Sequence, residues 1–272
     1  MRIVWAVVCL LALSAQSARA LNFFELEVYP ATTEGKGLHE LSSLSTFVAN
    51  GRTPSEEERE GEEPIRHRLF RTSLEYNYGL TDKVDIAAYI DLQHENSQEF
   101  EYAGSRFRMR GSFWEKGRFP IDLGWYVEAE LPHNTESDLE FDVRPILSRD
   151  FGKLSIDLNP GFELPTVSEE RRTLEFNYSA RAYYRLSPVI APAIELYGGI
   201  GQIRDVDASR EQEHYVFPVV YGKLFDGLKL AVGPGFGLSR GSDKVILKAQ
   251  IEWEFTVGGG GVSPAPNSPT PY

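Results

Sequence analysis

A single cysteine, Cys9, excludes an internal disulfide framework. Basic residues are few beside acids: 28 Lys and Arg against 40 Asp and Glu leave a net charge of −12. That balance argues against nucleic-acid partners, which require a basic surface. Beyond residue 13 no apolar run approaches the 18 residues of a membrane helix. The five histidines, His39, His67, His94, His133 and His214, are scattered without metal-ligand spacing, so neither a metal nor a cofactor is expected. His214, with serines near it, is the one place a hydrolytic Ser–His pair could form. An outer-membrane lipid hydrolase is therefore the weakest of the readings below, and the chain is expected not to be an enzyme.

Residues 1–20 read as a cleaved signal peptide. Met1 and Arg2 precede an apolar run from Ile3 to Leu13, too short to span a bilayer, and Ala18-Arg19-Ala20 supplies the small-residue cleavage pattern. Val8 is too bulky to precede a lipid-bearing cysteine at Cys9, so no lipid anchor is expected. Cleavage removes Arg2 and Arg19 and no acid, taking the net charge from −12 to −14.

The rest of the chain alternates. Val245, Leu247, Ala249, Ile251, Trp253 and Phe255 are apolar, and Lys244, Lys248, Gln250, Glu252 and Glu254 lie between them, with Ile246 the exception. Side chains on a strand point to opposite faces in turn, so this pattern makes one greasy and one wet face. Twelve stretches are predicted as strands, roughly 38–49, 67–79, 83–93, 103–114, 119–131, 138–149, 153–164, 173–186, 190–201, 212–224, 228–239 and 244–255. The first is the least regular. Their length suits a tilted membrane strand, and a mean hydropathy of −0.31 is compatible because only every second residue meets lipid.

The connections alternate too. Thr81-Asp82, Glu115 to Arg118, Phe151-Gly152, Ser187-Pro188 and Asp226-Gly227 are tight turns, while the links between them are mostly longer and more polar. With Phe255 at the periplasmic end, all five tight turns fall on the periplasmic side, the pattern of outer-membrane barrels. The expected fold is all-β: a closed antiparallel transmembrane β-barrel of about 12 strands, residues 38–255, with short periplasmic turns and longer outer loops. Phe23 to Tyr29 also alternates, so residues 21–37 are expected to be an N-terminal arm, a lumen plug or an extra strand, the last making fourteen. Residues 256–272, rich in Gly, Pro and Ser, are expected to be a disordered tail. Pro145, Pro160, Pro192, Pro218 and Pro234 fall within predicted strands, where bulges or strand ends are expected.

Three stretches carry a resemblance. Tyr78-Gly79-Leu80-Thr81-Asp82-Lys83-Val84-Asp85 and Phe113-Trp114-Glu115-Lys116-Gly117-Arg118-Phe119-Pro120-Ile121-Asp122-Leu123 are similar to the first two periplasmic hairpins of small bacterial outer-membrane β-barrels of the "phenol meta-pathway" type. Gly235-Phe236-Gly237-Leu238-Ser239-Arg240-Gly241-Ser242 resembles their last outer loop. The resemblance implies outer-membrane location and a transport role. It brings no catalytic residue.

The polar face carries an uneven charge pattern. Arg106, Arg108 and Arg110 form a basic stripe on one strand, flanked by Asp85 and Asp91 on one neighbour and by Asp122, Glu128 and Glu130 on the other. Closure around Gly117 should bring Arg106 near the level of Glu128. With Asp142, Arg144, Arg181, Arg185 and Glu252, these are the candidate lumen-lining residues. They read either as a charge filter or as a salt-bridge network that fills the lumen. Neutralising Asp91 or Glu128 is expected to leave folding largely intact. Glu56, Glu57, Glu58, Glu60, Glu62 and Glu63 read as a solvated acidic outer loop. The function expected is a passive channel or transporter for small solutes; the alternative is a non-transporting structural or surface-interaction barrel with a filled lumen. Outer-membrane lipids, lipopolysaccharide and the outer-membrane assembly machinery are the expected partners.

Overall fold

A computed structural model describes residues 24–52, 67–94, 99–133, 139–165 and 174–257. The signal peptide, the acidic loop at 56–63 and the Gly/Pro-rich tail from 258 lie outside the described residues. Thirteen strands form in chain order: β1 (Leu38–Asn50), β2 (Phe70–Thr81), β3 (Val84–His94), β4 (Glu101–Ser112), β5 (Asp122–Pro132), β6 (Glu140–Phe151), β7 (Leu154–Pro165), β8 (Glu175–Tyr184), β9 (Ile190–Gln202), β10 (Asp205–Val206), β11 (Glu213–Phe225), β12 (Leu228–Gly237) and β13 (Val245–Thr256). β10 is a two-residue hook on the end of β9. The other twelve make one antiparallel ring. β1 pairs with both β2 and β13, and β8 pairs with β9, so no barrel strand lacks a neighbour.

Closure satisfies a backbone constraint. In lipid each unpaired amide or carbonyl is costly, and only a closed sheet pairs them on both sides of every strand. The seam is long, with Leu38 to Val48 of β1 in continuous register against Thr256 to Ile246 of β13. The five tight turns all join strands at the periplasmic end, and Gly117, Gly152 and Gly227 hold left-handed φ of 79°, 65° and 86° within them. Such φ values disfavour any residue with a Cβ.

Burial resolves what alternation leaves open. The apolar face points outward: Leu74, Ile90, Phe107, Val127, Val220 and Ile251 are each 39–54% exposed. The polar face points inward and is buried. A soluble sheet protein would show the reverse. Near the periplasmic end His39 stacks on Phe255, and Trp253 lies 5.1 Å from Phe255, giving the outer surface an interfacial aromatic band. The irregularity of β1 has a local cause. Its outward Ser43 and Ser45 lie 3.3 and 3.0 Å from the Thr72 hydroxyl on β2, so these polar groups satisfy one another on the apolar face.

The prolines depart from expectation. Four of them occupy strand interiors without a bulge, because they come in facing pairs. The β6–β7 register runs from Val143 opposite Phe162 to Leu147 opposite Leu158, which sets Pro145 across from Pro160 in an unpaired gap. The β11–β12 register runs from Val216 opposite Phe236 to Val220 opposite Val232, which sets Pro218 across from Pro234. All four stay in register with their other neighbour. Two missing donors thus share one gap instead of breaking two ladders. Pro192 lies one residue past the last β8–β9 pair, at a ladder end as expected.

The lipid-facing assignment predicts that Val127→Arg or Ala88→Arg destabilises the barrel by about 2–4 kcal/mol if the site lies near the bilayer midplane. Loss of the heat-modifiable gel band at lower urea than wild type is the readout.

Candidate functional site

The lumen has two unlike halves. Strands β2 to β8 line one with charge. Arg106, Arg108 and Arg110 all point inward and are at most 4% exposed, because Phe107 and Met109 between them face outward. The β4–β5 register sets Arg106 level with Glu130 and Arg108 level with Glu128, one pair displaced from the expected match. The long guanidinium arms bridge the offset. Arg106 reaches Asp91 at 2.9 Å and Glu128 at 3.4 Å, Arg108 reaches Glu75 at 2.9 Å, and Arg110 reaches its partner Asp85 at 2.8 Å. The Tyr89 ring packs 4.3 Å from the Arg106 guanidinium. Arg144 donates to Asp142 at 2.6 Å. Glu130 is half-buried and lines a small outer recess with Glu140, Asp142 and Glu163. A second network joins Asp157, Arg181, Tyr221, Glu195 and Lys248; Arg181 donates to Asp157 at 2.8 Å, and Lys248 to Glu195 at 2.7 Å. Glu252 is buried on β13, where its Oε1 accepts from Gln250.

Two candidates sit elsewhere than the lumen proper. Asp122 is buried at the start of β5 and accepts the Gly117 backbone N–H at 2.7 Å, closing the β4–β5 turn. Arg185 follows the last residue of β8. Its side chain is 29% exposed and bonds to Asp150 and the Gly152 carbonyl, which places it on the periplasmic rim. The predicted strand ran two residues too far, and the alternation was extended with it.

The other half of the lumen carries an apolar cluster beside the Glu195–Lys248 pair. Ala191, Ala193 and Tyr197 of β9, Phe217 and Val219 of β11, Ala231 of β12 and Ile246 of β13 form one buried cluster. Ile246, the exception in the β13 pattern, faces inward into this cluster. On β11, apolar residues occupy both faces, which hides the lumen boundary from any hydropathy pattern.

Residues 24–37 form no strand, so the barrel is twelve-stranded and the fourteen-strand option is not realised. This segment instead runs inside the ring. Its groups bond to inward side chains of β2, β4, β5, β6, β7 and β13, and only a path through the lumen reaches all of these. Its own alternation matches the two halves. Leu26 and Val28 join the apolar cluster, while Glu25 and Tyr29 face the charged wall. Glu25 is 4% exposed and takes Arg144 at 2.9 Å, Arg106 at 3.3 Å, and hydroxyls from Tyr126 at 2.5 Å and Tyr29 at 2.9 Å. Four donors thus surround this one buried carboxylate. The chain then leaves the lumen past Gly79, where a Cβ would come within 2.0 Å of the Gly35 carbonyl. Gly37, at φ 78°, turns it into β1. Glu25 was missed as a lumen residue because nothing local in the sequence says which wall a non-strand segment will meet.

No Ser–His pair forms among the described residues. The ring nitrogens of His214 face the Tyr178 hydroxyl at 3.1 Å and the Gln212 side-chain oxygen at 3.0 Å. Gly237-Leu238-Ser239-Arg240-Gly241, at the end of β12, also matches a Gly-x-Ser-x-Gly pattern, but its Ser239 hydroxyl donates to the Gln212 carbonyl.

No family model and no curated protein matches the chain. Among solved structures it is similar to the COG4313 outer membrane channel from Pseudomonas putida F1, with a TM-score of 0.57 at 13% identity over 85% of this chain and 100% of that one. It is also similar to the KdgM porin (0.54, 8%, 79% and 99%) and the NanC porin (0.51, 8%, 80% and 100%). These likenesses show the fold, an outer-membrane porin-type barrel. None of the three carries the phenol meta-pathway name. The apolar belt and this fold together place the chain in the outer membrane.

The geometry revises the expectation for lumen substitutions. Arg106→Gln leaves Asp91, Glu128 and Glu25 buried around a lost cation, and should cost roughly 3–5 kcal/mol. Asp91→Asn should also destabilise, since Arg106 and Ser73 both bond that carboxylate. Urea midpoints in detergent check both against Leu74→Ile on the outer face, which should stay near wild type.

Proposed function

We propose that the protein is a passive channel for small solutes, closed in this conformation by residues 24–36. One observation carries the reading. The segment fills the lumen, yet no ladder holds it, and the arginines of the wall keep carboxylate partners without it. If Glu25 leaves, Arg106 keeps Asp91 and Glu128, and Arg144 keeps Asp142. Arg108 and Arg110 keep Glu75 and Asp85. An opened lumen would present paired charges on one side and an aromatic–aliphatic surface on the other, a lining that sorts solutes by charge and by apolar contact. Lipopolysaccharide around the outer belt, and assembly machinery that reads the aromatic end of β13, belong to the same proposal.

The non-transporting alternative has its own support. Leu26 and Val28 are buried against Phe217 and its neighbours, and withdrawing each into water costs about 1.5–3 kcal/mol. Planar-bilayer recordings separate the two readings. Wild type should show low or intermittent conductance. Deleting residues 24–33 should raise it several-fold, and Glu25→Gln should lengthen open times, since it removes charged hydrogen bonds worth roughly 1.5–3 kcal/mol each. Silence from both variants, with heat-modifiability retained, would decide for the structural barrel.

A further inference from the structure

Where the inner segment leaves the lumen, like charges converge on the closure seam. Glu40 of β1 and Glu254 of β13 are direct register partners, and Glu252 sits two residues along the same inward face. Carboxylates directly opposite on paired strands repel. Glu34 then arrives from the inner segment. One oxygen from each of Glu34, Glu40 and Glu254 lies within 4.8 Å of the other two. Lys229, opposite Glu252 on β12, bonds to Glu254. Arg110 is the next cation, and Asp85 holds it. Four carboxylates therefore share one close ammonium group.

A second observation is independent of this clustering. Glu34 is 1% exposed, and neither of its carboxyl oxygens has a hydrogen-bond partner among the described residues. Asn77 Oδ1, Glu252 Oε2 and Glu27 Oε2 are likewise buried without one. Glu34, Asn77, Glu252 and Glu27 line a single cavity together with Glu40, and Arg108, Arg110 and Arg181, held by Glu75, Asp85 and Asp157, line it too. Every one of these unpaired atoms is a hard oxygen acceptor. A buried acceptor left without a donor costs free energy that native structures normally avoid. The arrangement lacks a cation with several coordination positions, which a single added proton does not supply. Calcium takes six to eight oxygens at about 2.3–2.6 Å, so two ligands of one ion lie at most about 5 Å apart. The observed spacing is within that limit.

We propose that Glu34, Glu40 and Glu254, with Glu252 and Asn77 completing the shell, bind a divalent cation of the calcium class at the periplasmic end of the lumen. The ion neutralises the acidic seam and ties the exit of the inner segment to β1 and β13.

The test uses the full mature chain refolded in detergent without lipopolysaccharide, which itself binds divalent ions, and stripped with EDTA. Calorimetric titration with calcium chloride near neutral pH should give one saturable site, and bound calcium should raise the thermal midpoint. Glu34→Gln should weaken binding at least tenfold while keeping the heat-modifiable fold, because it removes an unpaired charge. Asp226→Asn, at an exposed turn, should bind as wild type. Absence of binding to wild type at millimolar calcium or magnesium would overturn the proposal and leave protons as the neutralising species. Undiminished binding in both Glu34→Gln and Glu40→Gln would also overturn it, by placing the ion elsewhere.

Discussion

The pairing of β1 with β13 is the constraint on which the rest depends. In a hydrocarbon surround the sheet cannot leave an open edge, so the first and last strands must meet. Their meeting encloses a lumen, and enclosure changes the meaning of every inward side chain. A polar residue on an open sheet would be solvated. Here Arg106, Asp91 and Glu128 are at most 3% exposed and must satisfy one another. The proline pairs obey the same constraint. Pro145 faces Pro160 and Pro218 faces Pro234, so the donors that proline lacks are missing from two shared gaps and the remaining ladders stay whole.

A ring of twelve strands lies between barrels that side chains alone can fill and those that leave a channel. This protein fills the difference with its own chain. Residues 24–36 bring Glu25 to the arginines and Leu26 and Val28 to the apolar cluster, so each half of the wall receives a matching face. Buried ion pairs are weak evidence of net stability, because desolvation offsets much of their attraction. Their effect here is positional. A segment shifted by one residue would set Leu26 against the arginines and Glu25 against Phe217, and both mismatches are costly.

That matching also explains why the inner segment can be both well packed and removable. A strand is held by a backbone ladder that is lost only with the sheet. The segment is held by side chains, at Asn159, Ser148 and Asp85, whose bonds to the Tyr29, Ala31 and Glu34 backbones can be exchanged for water. Such contacts allow local release without global unfolding. The left-handed turn at Gly37 and the close passage at Gly79 fix where the release would stop, since beyond them the chain belongs to β1.

The period-two pattern and the alternating turns determined the class of fold, twelve of the strand segments to within a few residues and the placement of the three arginines on one face. These are properties of neighbours along the chain, and the strand period is local. The pattern could not say whether the greasy face points outward or inward, because alternation is symmetric in its two faces; only the exposure of Phe107 beside the burial of Arg106 decides that. It misread Arg185, which lies past the end of its strand. It left Phe23 to Tyr29 open between strand, arm and plug, because an alternating segment looks the same whether it meets lipid and water or the two walls of a lumen. Glu25 among the arginines, Glu34 at the acidic seam and the facing prolines depend on which strands become neighbours and in what register. Those distances close only when the ring closes, so the tertiary structure alone decided them.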